Sequence, residues 1–426
     1  MQATKLPVRQ LSATRTAVRW WLIAPILLLF VIINQVDKSN ISVLIADSRF
    51  VADMGATGQP ARLGFISSSF FIGYGLSLLL WGFVVDRIGP RRSALLGVLG
   101  WAVTTVWCGL AGGLTQLYLA RFALGLAEGC MWPVCNSYVG RWFAEREHGR
   151  IQTFWFNGAQ IGIAIGLPVV TGILLAAGWH AVFFVCAAAS LGILLPLFYW
   201  LAPDEPAQSR WVSPAERLYV EQNRPAPPQA SSPSLRFLAV PAFWLVALCQ
   251  ACLVATFFGL NTWIPTYLTQ ARGLPFATMS VWVACAYLVP VALALAIGYA
   301  ADFSKLPRAT VGAISSLVMA VMILAAVLAP NTIVSMLLLV ISMAAPITYG
   351  AMNTSIMHRL APPEQIGRAT GIFVGAGNVL GAAGPAIVGW LIGVFRGEYL
   401  AAFGFISALN LAQALLYLLV GRQERR

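Results

Sequence analysis

From residue 309 to residue 358 the chain contains no Asp, Glu, Lys or Arg. As a single helix this stretch would measure about 75 Å at about 1.5 Å per residue, more than twice the roughly 30 Å of hydrocarbon in a bilayer. It therefore predicts two membrane spans with a reversal between them, and Ala329-Pro330-Asn331-Thr332 supplies the helix breakers. The rest of the chain repeats the pattern. Of 426 residues, 59% are hydrophobic and 10% charged, whereas a soluble domain carries about 25% charged residues. Too few charges remain to cover a water-facing surface, so the apolar residues must meet lipid. Twelve apolar segments are long enough to span: 20–45, 63–85, 93–111, 115–138, 151–176, 180–201, 240–269, 276–300, 309–329, 332–357, 368–394 and 399–420. The expected fold is an all-α integral membrane protein.

The formal net charge of +12 comes from 27 Lys and Arg against 15 Asp and Glu. In a soluble chain such an excess would suggest nucleic acid, but here position explains it. With a cytoplasmic N-terminus, 21 of the basic residues fall in inner segments and four (Arg49, Arg62, Arg272, Arg396) in outer loops. That asymmetry predicts both termini on the cytoplasmic side of an inner membrane, and no nucleic-acid partner. The basic opening, Lys5 to Arg19, precedes an apolar run too long for a signal-peptide core, so the first span is expected to be retained. All seven cysteines lie in apolar stretches, and Cys249 and Cys252 form a lone CxxC without a flanking His. They read as small packing residues, with neither a disulfide framework nor a metal site.

Residues 202–239 hold the longest polar stretch, including PAPPQASSPS at 225–234, and read as a cytoplasmic linker. The linker separates a bundle of six spans over 20–201 from a second over 240–420, with short cytoplasmic ends at 1–19 and 421–426. The halves echo each other. Gly82-x-x-x-Asp86 closes the second span and Gly298-x-x-x-Asp302 the eighth; Gly149-Arg150 opens the fifth and Gly367-Arg368 the eleventh. Near-constant offsets point to duplication, hence to two pseudo-symmetric bundles with a binding site between them near the midplane.

Four ionisable residues lie inside spans: Asp37 and Lys38 in the first, Arg121 and Glu128 in the fourth. Each would cost about 2.5 to 3.5 kcal/mol at a helix centre if left unpaired, so they must pair or line a wet cavity. Arg121 and Glu128, seven residues apart, share a face but stand about 10 Å apart along the axis. Asp37 and Lys38 diverge by about 100° and each needs a partner on another helix. Lys38 and Arg121 sit at similar depth, about 9 to 12 Å below the outer ends of their spans. Two cations at one depth make a clamp for a carboxylate, bidentate through Arg and as a point charge through Lys. Intramembrane charges are functional sites by default, although a static ion-pair network holding helices together is the bland alternative.

The stretch GFVVDRIGPRR at 82–92 resembles the loop signature GxxxDRxGxRR of the major facilitator transporters, in its usual place between the second and third spans. The resemblance implies a conformational latch in which Gly82 and Gly89 allow close turns and Asp86, Arg87, Arg91 and Arg92 exchange contacts, with Gly298 and Asp302 as its echo. RFALGLAEGCMWP at 121–133, GRWFAEREHGR at 140–150 and NTWIPTYLTQARG at 261–273 are similar to the anion:cation symporter branch, over about residues 20–420. That branch carries sugar acids and other carboxylates with protons. It implies substrate binding by Lys38, Arg121, Tyr74 and Asn378, and proton coupling by Asp37 and Glu128. Sugar-acid members usually have Tyr two residues before the first-span Asp and Arg directly after it, where this chain has Gln35 and Lys38.

The expectation is a secondary transporter that imports a small organic anion by proton symport, acting as a monomer in the lipid bilayer. No cofactor or metal is implied, and Na⁺ is the alternative coupling ion. Proton-driven export of a drug-like compound is the alternative direction. An enzyme is disfavoured: His148, His180 and His358 lie near span ends, and none shares a motif with a nucleophile or metal ligands.

Overall fold

The computed structural model describes residues 17–224, 236–304, 306–361 and 366–424. Most of the N-terminal extension, the linker stretch 225–235 and the last two residues lie outside the described residues, as do the surroundings of Gly298 and the Asp302 side chain. Seven helical runs among the described residues are long and apolar enough to cross a membrane on their own. One of them, Glu145–Leu201, is two spans, because Gly178 breaks it with φ +80° and ψ 175°, a conformation that favours glycine. Pro60–Ile88, Pro90–Gly109, Leu114–Glu128 with Met131–Trp142, and Phe276–Ser304 complete twelve rods.

The reversal expected in the uncharged stretch falls where the helix breakers are. Helix Arg308–Leu328 ends, and the next begins at Thr332 with Asn331 as its cap; the Asn331 side chain accepts from the backbone N–H of Ile333 and Val334. A cap of this kind satisfies orphan donors that would otherwise sit at the bilayer edge. The fourth span, expected to be continuous, is broken at Gly129–Cys130, directly after Glu128.

The two halves use the same helix pairings. In the first bundle the first span packs on the fifth, the second on the fourth and the third on the sixth; in the second bundle the seventh packs on the eleventh, the eighth on the tenth and the ninth on the twelfth. This repetition is the structural form of the sequence echo. The first–fifth pair is held close by Gly158, Gly162 and Gly166. A Cβ on Gly162 would stand 2.7 Å from the Ile32 carbonyl oxygen and 2.8 Å from Gln35 Cβ, so only glycine permits the approach. Apolar side chains face outward where lipid would lie, among them Leu80, Phe83, Val103, Trp200 and Leu415.

Between the bundles, contact is firm at the end away from the chain termini. The second span meets the eleventh there: a Cβ on Gly64 would lie 2.2 Å from the Pro385 carbonyl oxygen, and one on Gly389 2.4 Å from that of Pro60. Among the described residues, two hydrogen bonds cross between the bundles, Thr262 Oγ1 to Ser67 Oγ at 3.1 Å and Ala386 N–H to Ser68 Oγ at 3.2 Å, both in this half.

Part of the expected linker is ordered against the first bundle. Glu216, on helix Pro214–Asn223, accepts from the backbone N–H of Val18 and Arg19 at 2.9 and 3.2 Å and from the Arg19 guanidinium at 2.8 Å. Arg19 also grips Glu147 through Nε at 3.0 Å and Nη2 at 2.9 Å. One arginine thus ties the start of the first span to the fourth–fifth loop and the linker helix.

Candidate functional site

Glycine-mediated packing of the first span on the fifth turns the opposite face of the first span toward the third and fourth, and that face carries Asn34, Asp37, Lys38 and Asn40. Asp37 is fully buried and accepts from Asn40 Nδ2 at 2.8 Å, from Thr105 Oγ1 at 2.8 Å and from Trp101 Nε1. Both of its oxygens are therefore engaged. Lys38 points instead to the fourth span, where its Nζ stands 3.9 Å from Glu128 Oε2, and it lies 3.9 Å from the centre of the Tyr74 ring. Adjacent residues on one helix thus find partners on different helices, as their angular divergence requires.

Glu128 is fully buried, and its Oε2 accepts from Asn34 Nδ2 at 2.7 Å. Its Oε1 has no partner among the described residues, and neither do the Tyr74 hydroxyl, Arg121 Nε and Asn34 Oδ1. Arg121 lays its guanidinium 4.9 Å from the centre of the Phe70 ring and approaches the backbone carbonyls of Asp37 and Lys38 at 3.5 Å, a distance at which hydrogen bonds are weak. No carboxylate lies within ion-pair distance of Arg121 among the described residues. Cation–ring contacts of this kind are worth about 0.5 to 2 kcal/mol, much less than a buried cation needs. Among the described residues this cluster therefore holds four polar atoms without a hydrogen-bond partner, a loose Lys38–Glu128 pair and an arginine with no carboxylate within ion-pair distance.

The four charges meet as the sequence predicts, but they do not face open water in this conformation. Asp37, Arg121 and Glu128 are 0% exposed and Lys38 is 6% exposed, so the expected hydrated chamber is closed over them. A cavity of about 680 Å³ opens elsewhere, at the end away from the termini, lined by Arg62, Phe65, Tyr118 and Trp390 among others. Tyr74 joins the cluster through its ring. Asn378 stands on the opposite bundle, directly across Gly75: a Cβ on that glycine would lie 3.1 Å from Asn378 Cβ. Its Nδ2 donates to the Val374 carbonyl at 2.8 Å.

The loop motif is divided in its behaviour. Gly89 makes the turn, with φ +85°, and the Asp204 carboxylate fills the space where its side chain would be, 2.8 Å away. Arg91 N–H donates to Asp204 Oδ1 at 2.7 Å, and the Arg91 guanidinium donates to the Tyr199 carbonyl. Gly82, by contrast, is helical within Pro60–Ile88 with nothing within 4 Å of a Cβ, so it makes neither a turn nor a close approach. That corrects the expectation for Gly82: a helix end at Ile88 places the reversal at Gly89 alone. Asp86, Arg87 and Arg92 form no ion pair among the described residues, and Asp86 is exposed. Gly298 and Asp302 lie on helix Phe276–Ser304, but the surroundings of Gly298 and the Asp302 side chain are outside the described residues.

Several site residues escaped the sequence reading. Asn34, Trp101 and Thr105 hold the two acids, and Phe70 lies under Arg121. Asn34 carried a legible signal, being three to four residues before Asp37 and Lys38 and so on the same helical face. Trp101 and Thr105 carried none, since aromatic and hydroxyl residues abound in membrane helices.

The fold is thus two bundles of six membrane helices joined by a linker, with a buried cluster of four charges whose partners among the described residues all belong to the first bundle. A family model for the Major Facilitator Superfamily matches residues 16–385, and the chain belongs to that superfamily, whose members are transporters and not enzymes. It is 27% identical over 432 residues to a D-galactonate transporter of Escherichia coli O6:H1, covering 97% of this chain and 98% of the relative. It is also 27% identical over 432 residues to a probable galactarate/D-glucarate transporter of Bacillus subtilis, covering 96% and 93%. The crystal structure of a bacterial homologue of the lysosomal transporter Spinster superposes with a TM-score of 0.76 at 17% identity, over 94% of this chain and 96% of that one.

Proposed function

We propose that the protein carries a small organic anion into the cell together with protons, alternating between states open to either side of the membrane. The observation that carries this reading is the buried set of Lys38, Arg121 and Glu128, in which, among the described residues, Arg121 has no carboxylate within ion-pair distance and one Glu128 oxygen is unbonded. An entering carboxylate gives Arg121 a direct ion-pair partner and competes with Glu128 for Lys38. Glu128, released from Lys38, can then hold a proton on its free oxygen. Glu128 is accordingly the coupling carboxylate. Asp37, with both oxygens occupied, anchors the first span and takes part in coupling only when those bonds break.

Tyr74 and, from the other bundle, Asn378 complete the substrate contacts. Closure of the bundles at the end away from the termini is one of the two states, and the occluded charges must become accessible as the bundles rock apart. Gly89, Arg91 and Asp204 tie the second–third loop to the start of the linker, while Asp86, Arg87 and Arg92, with Gly298 and Asp302, belong to the latch whose contacts form in another state. Excess basic residues at the terminal end favour an inner membrane with both termini in the cytoplasm. The names of relatives, D-galactonate and galactarate/D-glucarate transporters, support a sugar acid or related carboxylate.

Proteoliposomes holding the purified monomer test this. Uptake of a labelled carboxylate should rise when the outside is acidified and should not respond to a Na⁺ gradient. Transport indifferent to the pH gradient, or expulsion of a lipophilic cation in its place, would overturn the proposal. One proton per monoanion is electroneutral, whereas two add about 2.3 kcal/mol of drive per 100 mV, so voltage sensitivity reads the stoichiometry.

A further inference from the structure

The membrane-embedded part of the second bundle carries no carboxylate, ammonium, guanidinium or imidazole group. Residues 241–271, 276–301, 309–357, 369–395 and 399–421 contain no Asp, Glu, Lys, Arg or His. The polar groups it brings are neutral. Asn261 accepts from the Tyr287 hydroxyl at 2.8 Å, Gln250 accepts from Asn353 Nδ2 at 3.1 Å, and Asn378 faces Gly75 of the first bundle. Every charge available to a substrate at this depth is therefore in the first bundle, where Asp37 and Glu128 cancel Lys38 and Arg121.

That count restricts the cargo. With one proton on Glu128 and Asp37 left ionised among its three donors, the buried set carries a single net positive charge, and a monoanion brings it to zero. A dianion would leave one uncompensated negative charge, and the facing bundle has no cation to meet it; a buried unpaired charge is strongly destabilising. Uncharged hydrogen-bonding groups are, in contrast, well served by the amides and hydroxyls of the second bundle. Transporters named for a monoacid and for diacids both occur among the relatives.

Resting on the anion–proton reading above, we infer that the site takes a monocarboxylate whose remainder is uncharged and hydrogen-bonding, and rejects the dicarboxylate of the same skeleton. The preference expected is about 100-fold or more in Kd.

Calorimetric titration of the purified full-length protein at neutral pH tests this with matched pairs, galactonate against galactarate and benzoate against phthalate. Monomethyl phthalate separates charge from size, since it has the bulk of phthalate and the charge of benzoate. Preference for the monoacid within a pair, with monomethyl phthalate siding with benzoate, supports the inference. Equal or tighter binding of a diacid overturns it, as does rejection of monomethyl phthalate together with phthalate. Binding of none of these acids would instead overturn the organic-anion reading itself. In a second measurement, folded Asn378→Arg should gain diacid affinity by about tenfold or more, because it supplies the missing cation; no gain overturns the charge argument.

Discussion

Lys38 Nζ stands 3.9 Å from Glu128 Oε2, close enough for ionic attraction and too far for a hydrogen bond. The looseness fits the proposed exchange of partners at Lys38. A tight bidentate pair would have to be broken before a substrate carboxylate could reach the ammonium, whereas this pair leaves Lys38 free to exchange partners. Asn34 and the Tyr74 ring hold the two ends in place meanwhile.

Glu128→Gln should abolish proton-driven accumulation and leave counterflow exchange, because the amide keeps the shape and the bond to Asn34 but cannot carry a proton. Labelled-substrate uptake under an imposed pH gradient, compared with exchange at equal pH, checks it. Accumulation by the variant at the wild-type level would remove Glu128 from the coupling step.

Removing one member of the buried pair should cost more than removing both. Lys38→Gln and Glu128→Gln each leave an uncompensated buried charge, a loss of about 3 to 5 kcal/mol when a pair is broken on one side. The double variant leaves none. Its Tm should therefore exceed that of Lys38→Gln, and a double variant less stable than both singles would show that the pair does not interact.

Asp37→Asn should be destabilising for a geometric reason. The carboxylate accepts from Asn40, Thr105 and Trp101 at once. An amide must turn its NH₂ toward at least one of these donors, setting donor against donor at a cost of about 1 to 3 kcal/mol. Thermal unfolding measures it; a Tm equal to wild type would mean that the three bonds are not formed together.

Gly162→Val should separate the first span from the fifth, since its Cβ would lie 2.7 Å from the Ile32 carbonyl oxygen. Overpacking of this kind costs about 1 to 3 kcal/mol and should move Lys38 away from Glu128, with loss of uptake. Gly172→Ala, with nothing within 4 Å of the new atom, should be neutral. Equal behaviour of the two variants in Tm and uptake would contradict the close approach.

Glu216→Ala should loosen the linker helix Pro214–Asn223 by removing the acceptor of two backbone N–H groups and the Arg19 guanidinium. Limited proteolysis should cleave within 205–224 faster than in wild type. Glu221→Ala, which loses only a half-exposed pair with Arg217, should leave the rate unchanged.

What the residue order determined by itself was everything that follows from the cost of placing polar groups in hydrocarbon. The uncharged run of 309–358 had to turn at Pro330 and Asn331, and it does. The four intramembrane charges had to find company, and they share one cluster. The repeated Gly and Asp spacing implied two like halves, and the helix pairings repeat. These inferences rest on local, short-range energetics, which a linear pattern records. Only the folded chain decided which acid keeps a free oxygen, that among the described residues Arg121 faces Phe70 with no carboxylate within ion-pair distance, that Gly89 turns where Gly82 does not, and that the charges lie closed off with the bundles sealed at the end away from the termini. Those outcomes depend on rotation and approach of helices distant in sequence, set by where Gly64, Gly75, Gly162 and Gly389 let backbones touch, and no spacing along one strand of sequence encodes which partner helix will be there.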